Sequence, residues 1–429
     1  MSKALTGPPT PLRRGIALPN QKQEAAAVRR LYWTSYVIRY SFGLSAWIAT
    51  VFFGLGIMED ALNYSGRAAD TAQAWLSGEK AVWLEEAIAG ERQAWLMVYV
   101  LAIFYLISAG AEIVPLALGL YCLLTTWSTV LAYRVARQLG VSHQGAIVTG
   151  SLIAFSPAFA IWGSALYKEG LVLIAMYLVM LHGLRLQEAM RPMSVVVLGL
   201  SFMALFGLRF YMATILMGGL AIGLLMGRSS PKTGSDMPPI FRQLILLALV
   251  SVIFGLVGIS GKANQMASAD LSDNLAKINS SRRDLASYRS GYLEDADVST
   301  PEKALAFLPI GMAYFLTVPL PWHLSTMRQN IAIPESFFWL VVIYPCTVRG
   351  IGRAWLKNKQ GTIFLLVAAF MVTAFYGIFC GNIGTAYRMR IQVWAIFAIF
   401  AGWGWSRIDP GLIRLPIRKS KIAAVPGGK

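Results

Sequence analysis

Apolar positions in this chain come in long unbroken runs, without the strict alternation of strands or the one-sided stripe of surface helices. The window 363–380, IFLLVAAFMVTAFYGIFC, has no polar face recurring at each turn, and a helix that is apolar all round belongs in a large buried core or in lipid. At roughly 20 residues per crossing, the hydropathy predicts spans near 36–56, 113–134, 144–163, 168–186, 193–208, 211–227, 242–260, 334–350, 361–380 and 389–406. The expected fold is an all-α polytopic membrane protein of about ten transmembrane helices, within a range of nine to twelve. Two further apolar pieces, 94–110 and 305–322, are short, and the second carries Pro309, Pro319 and Pro321. Proline removes a helical hydrogen bond and clashes with the preceding turn, so both pieces read as interfacial or re-entrant segments.

Composition agrees. The 429 residues are 56% apolar and 14% charged, where a soluble domain carries about a quarter charged residues. Cys122, Cys346 and Cys380 all lie in apolar runs without CxxC or Cys/His spacing, and His143, His182 and His323 are scattered, so no zinc or haem site is suggested.

Charge then orients the chain. Placing both termini in the cytoplasm makes every inside loop basic: Arg134 and Arg137; Arg185 and Arg191; Arg228, Lys232 and Arg242; Arg349, Arg353, Lys357 and Lys359; then the tail from Arg407 to Lys421. The same scheme puts 57–93 outside with seven acids against three bases, and 261–304 outside with seven against six. Counting either short apolar piece as a full span would put the basic clusters outside. The net charge of +17 is thus a topology signal, and nucleic-acid binding need not be invoked. The expected organisation is a basic, Pro-rich cytoplasmic tail over 1–35, a transmembrane domain over 36–406 with outer loops at 57–112 and 261–333, and a second basic cytoplasmic tail over 407–429. The expected location is the cytoplasmic (inner) membrane. No repeat of matching length relates the halves, which weakens a transporter reading.

The most acidic stretch, IMEDALNYSGRAADTAQAWLSGE (57–79), opens directly after the first apolar run. Behind Glu59 and Asp60, the positions Ala61, Leu62, Tyr64, Ala68, Ala69, Ala72, Trp75 and Leu76 recur at helical spacing, predicting an amphipathic helix on the membrane surface. A carboxylate would then be held at the outer headgroup level. It also serves as nothing more than a boundary marker in the plainer reading.

This arrangement resembles the GT-C glycosyltransferases, the polytopic enzymes that take sugars from polyprenyl-phosphate carriers and include protein O-mannosyltransferase and lipid A aminoarabinose transferase relatives. Matching pieces are Glu59-Asp60 with Tyr64; F-S-P-A-x-x-x-W-x-S-A-L-x-K-E from Phe155 to Glu169; L-R-F-Y from Leu208 to Tyr211; L-P-x-G-x-x-Y-F-L-x-x-P-x-P-W from Leu308 to Trp322; and G-N-x-G-T-A-x-R-x-R from Gly381 to Arg390. The resemblance covers about 40 to 405. It implies a GT-C-like fold, and an acidic residue of the first outer loop as catalytic base or metal ligand, with a divalent cation as an optional cofactor at Asp60. The pair here is Glu-Asp rather than the commoner Asp-Glu, and no large soluble domain follows the last span.

The chemistry of such a transfer asks for a base and for cations. A carboxylate takes the proton of the acceptor hydroxyl, and cations stabilise the departing phosphate. Asp60 is the candidate base and Glu59 the second choice. Arg388 and Arg390 are the candidate phosphate grip, because paired arginines bind phosphate bidentately and Gly381 and Gly384 allow close backbone approach. Lys168 joins them with Glu169 as its orienting partner, although an ion pair that caps a short turn explains both equally. Arg209, at membrane depth, calls for a partner or ligand, with snorkelling from a helix end as the bland alternative. Tyr64, Asn382 and Trp322 are supporting candidates, and Trp83, Trp95 and Trp162 are placed to stack on a sugar or to anchor the interface.

The expected partners are a polyprenyl-phosphate-linked sugar, a glycan, lipid or protein acceptor, and membrane lipid. Two other readings stay open. One is an O-antigen or exopolysaccharide polymerase or ligase acting on a polyprenyl-diphosphate-linked glycan, with Arg282, Arg283 and Arg289 of the long outer loop. The other is a lipid or glycan transporter without chemistry.

Overall fold

A computed structural model describes residues 21–79, 95–226, 240–241, 243–248, 271–320 and 327–406. Within them the regular secondary structure is helical, and the one β pairing is an isolated bridge between Gly291 and Asn382. In chain order the helices are α1 (Gln21–Phe53), α2 (Glu59–Leu76), α3 (Trp95–Leu106), α4 (Val114–Thr125), α5 (Trp127–Leu139), α6 (His143–Phe155), α7 (Pro157–Trp162), α8 (Glu169–Glu188), α9 (Pro192–Met226), α10 (Leu271–Ala286), α11 (Pro301–Thr317), α12 (Met327–Phe338), α13 (Tyr344–Lys357), α14 (Lys359–Phe379) and α15 (Ile383–Trp405), with a π-helical turn at Trp339–Ile343 between α12 and α13. Among the described residues five stretches are long and apolar enough to cross a membrane: α1, α4 with α5, α8, α9 and α14. The fold is an all-α membrane-embedded one.

Several predicted bounds change. Helix α1 starts at Gln21, so the second half of the expected 1–35 tail is helical. The span expected at 144–163 is broken at Ser156, because Pro157 cannot continue α6 and instead opens α7. Of the segment 305–322, residues 305–317 belong to α11 (Pro301–Thr317), with Pro309 inside it, and 321–322 lie outside the described residues. Most of 242–260 lies outside the described residues, as do the tails 1–20 and 407–429, Trp83 and Trp322.

Two ends of the bundle follow from α8, whose 20 residues rise about 30 Å from Glu169 to Glu188. Helix α14 runs the opposite way. A Cβ at Gly361 would lie 2.5 Å from Leu184 near the end of α8, whereas Tyr376 lies beside Arg209 and hence near Glu169. Helix α9 visits both ends. It departs just after Glu188, reaches Glu169 at Arg209, and returns to pack Leu220 on Gly183 and Gly223 on Phe364. The reversal sits at Arg209, whose φ of −155° and ψ of 89° are not helical. That agrees with the expectation of two short arms meeting at this residue.

Helix α2 differs from expectation in what covers it. Its apolar face, Ala61, Ala68, Ala69 and Ala72, is buried, and Trp75 stacks on Tyr99 of α3 at 5.6 Å. The face packs on protein rather than on a membrane surface. Ser65 fixes it further by bonding to Tyr105 and Glu112, both at 2.5 Å.

Candidate functional site

The loop from Gly163 to Lys168 joins α7 to α8 and delivers Glu169 as the first residue of α8. Leu166 within it is fully buried and has a positive φ of 55°, a conformation that costs a branched apolar residue energy and persists where surroundings over-determine it. Glu169 is itself fully buried, and a buried carboxylate requires cationic partners. It has two. Arg388 of α15 donates from Nε to Oε1 at 2.8 Å and from Nη2 to Oε2 at 3.1 Å. Arg209 donates from Nη2 to Oε1.

Arg388 is enclosed on its faces as well. Its guanidinium carbon lies 4.5 Å from the Tyr167 ring centroid and 5.2 Å from that of Trp162, a cation–π arrangement that holds a charge without neutralising it. The remaining nitrogen, Nη1, faces Oδ2 of Asp60 at 3.4 Å. Asp60 stands in the first turn of α2, and its side chain is 68% exposed. One arginine thus connects an exposed carboxylate to a buried one. Tyr167 ties the same loop to the start of α2 by donating to the Ile57 carbonyl at 2.7 Å.

Arg209 directs a second nitrogen, Nη1, to the Tyr211 and Tyr376 hydroxyls, the latter at 3.0 Å. Tyr376 passes the chain on to Oε1 of Gln392 at 3.0 Å. The expected partner of a membrane-depth arginine is therefore Glu169, supported by a tyrosine pair.

Lys168 precedes α8 and is half-buried. Burial first, then the nearby Arg209 cation, lowers its ammonium to about 8, against the opposing pull of Glu169 and Asp60. Tyr64 lies one turn after Asp60 on the same face of α2, and burial, then the Glu169 charge, raises its hydroxyl above the usual value, so it stays a hydrogen-bond donor. The cluster sums to three cations, Arg388, Arg209 and Lys168, against two carboxylates.

Other expected site residues lie elsewhere. Arg390 does not join Arg388, because residues two apart on a helix point to nearly opposite sides. Its fully buried guanidinium donates from Nε to the Phe315 carbonyl at 2.6 Å and from Nη2 to the Val318 carbonyl. It thereby caps carbonyls at the end of α11 that no helix partner reaches. Asn382 is the N-cap of α15, where its Oδ1 accepts from Gly384 N at 2.8 Å, and its Nδ2 donates to Ser290 Oγ at 2.7 Å. The glycine at 381 brings the backbone against protein, not ligand: a Cβ there would sit 2.4 Å from the Arg282 carbonyl oxygen. Glu59 is exposed beside Asp60, and Trp95 packs on Gly207 and Tyr99. Arg282, the key residue of the polymerase reading, is buried and donates to the Leu293 carbonyl at 2.9 Å and, more weakly, to those of Tyr292 and Ala296.

A divalent ion does not fit well at Asp60. The Arg388 cation already fills the approach on one side, and like charges repel. Among the described residues no three His, Cys, Asp or Glu side chains gather as a metal site.

Two buried charges escaped sequence reasoning. Arg39, inside the first apolar run, donates to the Thr125 carbonyl at 2.6 Å and Ser128 Oγ at 3.0 Å, joining α1 to the break between α4 and α5. Glu335 accepts from Ser156, Tyr387 and the Ala158 amide, the last at 3.0 Å, and so joins α12 to α7 and α15. A charge inside an apolar run was the available signal for both. No protein-family model matches the chain, and the search of curated proteins found no match.

Proposed function

We propose that the protein is an integral-membrane glycosyltransferase that moves a sugar from a polyprenyl-phosphate carrier to a cell-envelope or polysaccharide acceptor at the outer face of the inner membrane. The observation that carries this reading is Arg388, held by buried Glu169 at 2.8 Å while its free nitrogen faces exposed Asp60 at 3.4 Å. A base and a phosphate-facing cation stand side by side at the accessible edge of an apolar bundle.

In the proposed reaction the acceptor hydroxyl gives its proton to Asp60 as its oxygen bonds to the anomeric carbon. The bond from that carbon to the carrier phosphate breaks, and the phosphate leaves with the electron pair. Nη1 of Arg388 and the Lys168 ammonium meet the developing negative charge. Glu169 touches no substrate; it positions Arg388 and Arg209. Trp162, lying over Arg388, is placed beside the sugar's path.

The test is profiling of lipid-linked glycans in cells lacking the protein, complemented by wild type or by Asp60→Asn. Accumulation of one polyprenyl-linked precursor in both the null and the Asp60→Asn strain supports transfer at this site. An unchanged lipid-linked pool in the null strain rejects it. The proposed orientation, with both termini cytoplasmic, predicts that cysteines at positions 70 and 290 react with an impermeant outside reagent and that cysteines at 138 and 356 do not.

A further inference from the structure

At the end of the bundle about 30 Å from Glu169 lies a cavity of about 650 Å³ between α5, α8 and the turn joining α13 to α14. Its wall carries five cations, Arg134, Arg137, Arg185, Lys357 and Lys359, and a single carboxylate, Glu188, among the described lining residues. Two of these cations rest on aromatic rings, which hold a charge without neutralising it: Arg134 lies 5.9 Å from the Trp127 ring and Lys359 5.1 Å from the Trp355 ring. Arg137 donates to the Val141 carbonyl at 3.1 Å and has a long ion pair, 3.9 Å, with Glu24.

A second observation points to a ligand. Gln187 lines the same cavity and is only 6% exposed, yet among the described residues neither its Nε2 nor its Oε1 has a hydrogen-bond partner. Buried amides are almost always paired. By sequence, the stretches 1–20, 227–239 and 407–429 hold two acids, Asp236 and Asp409, against eleven lysines and arginines.

We infer that this cavity binds a phosphodiester that carries a hydroxylated substituent, such as the headgroup of an anionic glycerophospholipid. Phosphate oxygens meet the cations and accept from Gln187 Nε2; a substituent hydroxyl donates to Oε1. Basic pockets between helices at a membrane surface take lipid phosphates in this way. The site is separate from the reaction proposed at the other end, and its test does not depend on that reaction.

The test uses the purified full chain in detergent, with retained lipid read by native mass spectrometry against phosphatidylglycerol and phosphatidylcholine, and with glycerol phosphate as the soluble arm. Wild type should retain phosphatidylglycerol preferentially. Arg134→Gln/Lys359→Gln, which alters only exposed side chains, should weaken that retention by roughly 30-fold, the expected effect of two cations beside a membrane phosphate. Gln187→Leu, which leaves the charge unchanged, should weaken it as well. Binding of glycerol phosphate by wild type, lost in both variants, assigns the same site to a soluble phosphate ester. Equal retention of the two lipids with no binding of glycerol phosphate overturns the inference. So does undiminished retention in the double variant, or in Gln187→Leu, which would reduce the effect to surface charge.

Discussion

Arg388 and Glu169, 219 positions apart in sequence, meet through two parallel hydrogen bonds of 2.8 and 3.1 Å. The pairing uses the Nε and Nη2 edge of the guanidinium and leaves Nη1 for the accessible side. Position is therefore set by the buried oxygen atoms, and only the free nitrogen faces Asp60. Arginine suits this dual task because its donors lie in one rigid plane.

The first prediction concerns Glu169. Replacing it with Gln removes the shared counter-charge of Arg388 and Arg209, both largely buried. Breaking a buried pair by deleting one partner costs about 3–5 kcal/mol, so the purified Glu169→Gln protein should melt well below wild type. Adding Arg209→Met to Glu169→Gln should recover part of the loss, since fewer buried cations then lack a partner. A wild-type melting temperature in the single variant would mean that water already shields these charges.

The second prediction separates the two arginines of α15. Arg388→Lys keeps a charge but cannot reach both oxygens of Glu169, so transfer should fall about tenfold or more with little change in expression. Arg390→Lys should instead lower the melting temperature, because a lysine cannot serve Phe315, Val318 and Ser336 together. If Arg390→Lys melts normally and loses transfer, Arg390 belongs to the site after all.

These contrasts show what the sequence made legible. Apolar runs announced the membrane helices, and Arg209, stranded in one of them, announced that a partner existed. Asp60 and Lys168 with Glu169 were visible as charges at helix starts. The partners themselves were not visible: an ion pair between α8 and α15 has no periodicity, and nothing local distinguishes Arg388, which faces Glu169, from Arg390, which caps α11. Residues two apart in an assumed loop look alike, and only the helix starting at Ile383 sends them to opposite sides. Asn382 misled for a similar reason, since an N-cap and a polar ligand contact share the same residue type.

The third prediction follows from Lys168. Its ammonium, lowered to about 8 from 10.5 by burial and by Arg209, is charged at neutral pH and loses its proton as pH rises through about 8. With it the cluster loses its excess positive charge, so KM for the phosphate-bearing donor should rise by about tenfold across that range, the scale of one charge-assisted hydrogen bond. Lys168→Arg should keep KM flat up to higher pH. The sign for stability is opposite: between about 8 and 10.5 the unfolded chain holds the proton that the folded chain has released, so this residue's effect is to raise stability with pH in that window. A donor KM that ignores pH from 7 to 9 in wild type would remove Lys168 from the binding step.

The last prediction returns to Asp60. Its side chain is 68% exposed and its partner in the protein is Arg388 at 3.4 Å, a contact too open and too long to hold the fold together. Asp60→Asn keeps shape and hydrogen bonding while removing the charge that accepts a proton. Expression and melting temperature should therefore stay near wild type, whereas turnover should drop by about 10² or more, the scale for losing a general base. Glu59 is the internal control. It is also exposed, on the adjacent position of α2, about 100° around the helix, and it makes no ion pair with Arg388, so Glu59→Gln should change turnover less than threefold. Transfer by Asp60→Asn at the wild-type rate would leave the acidic start of α2 as a boundary marker and remove the base from the proposed reaction.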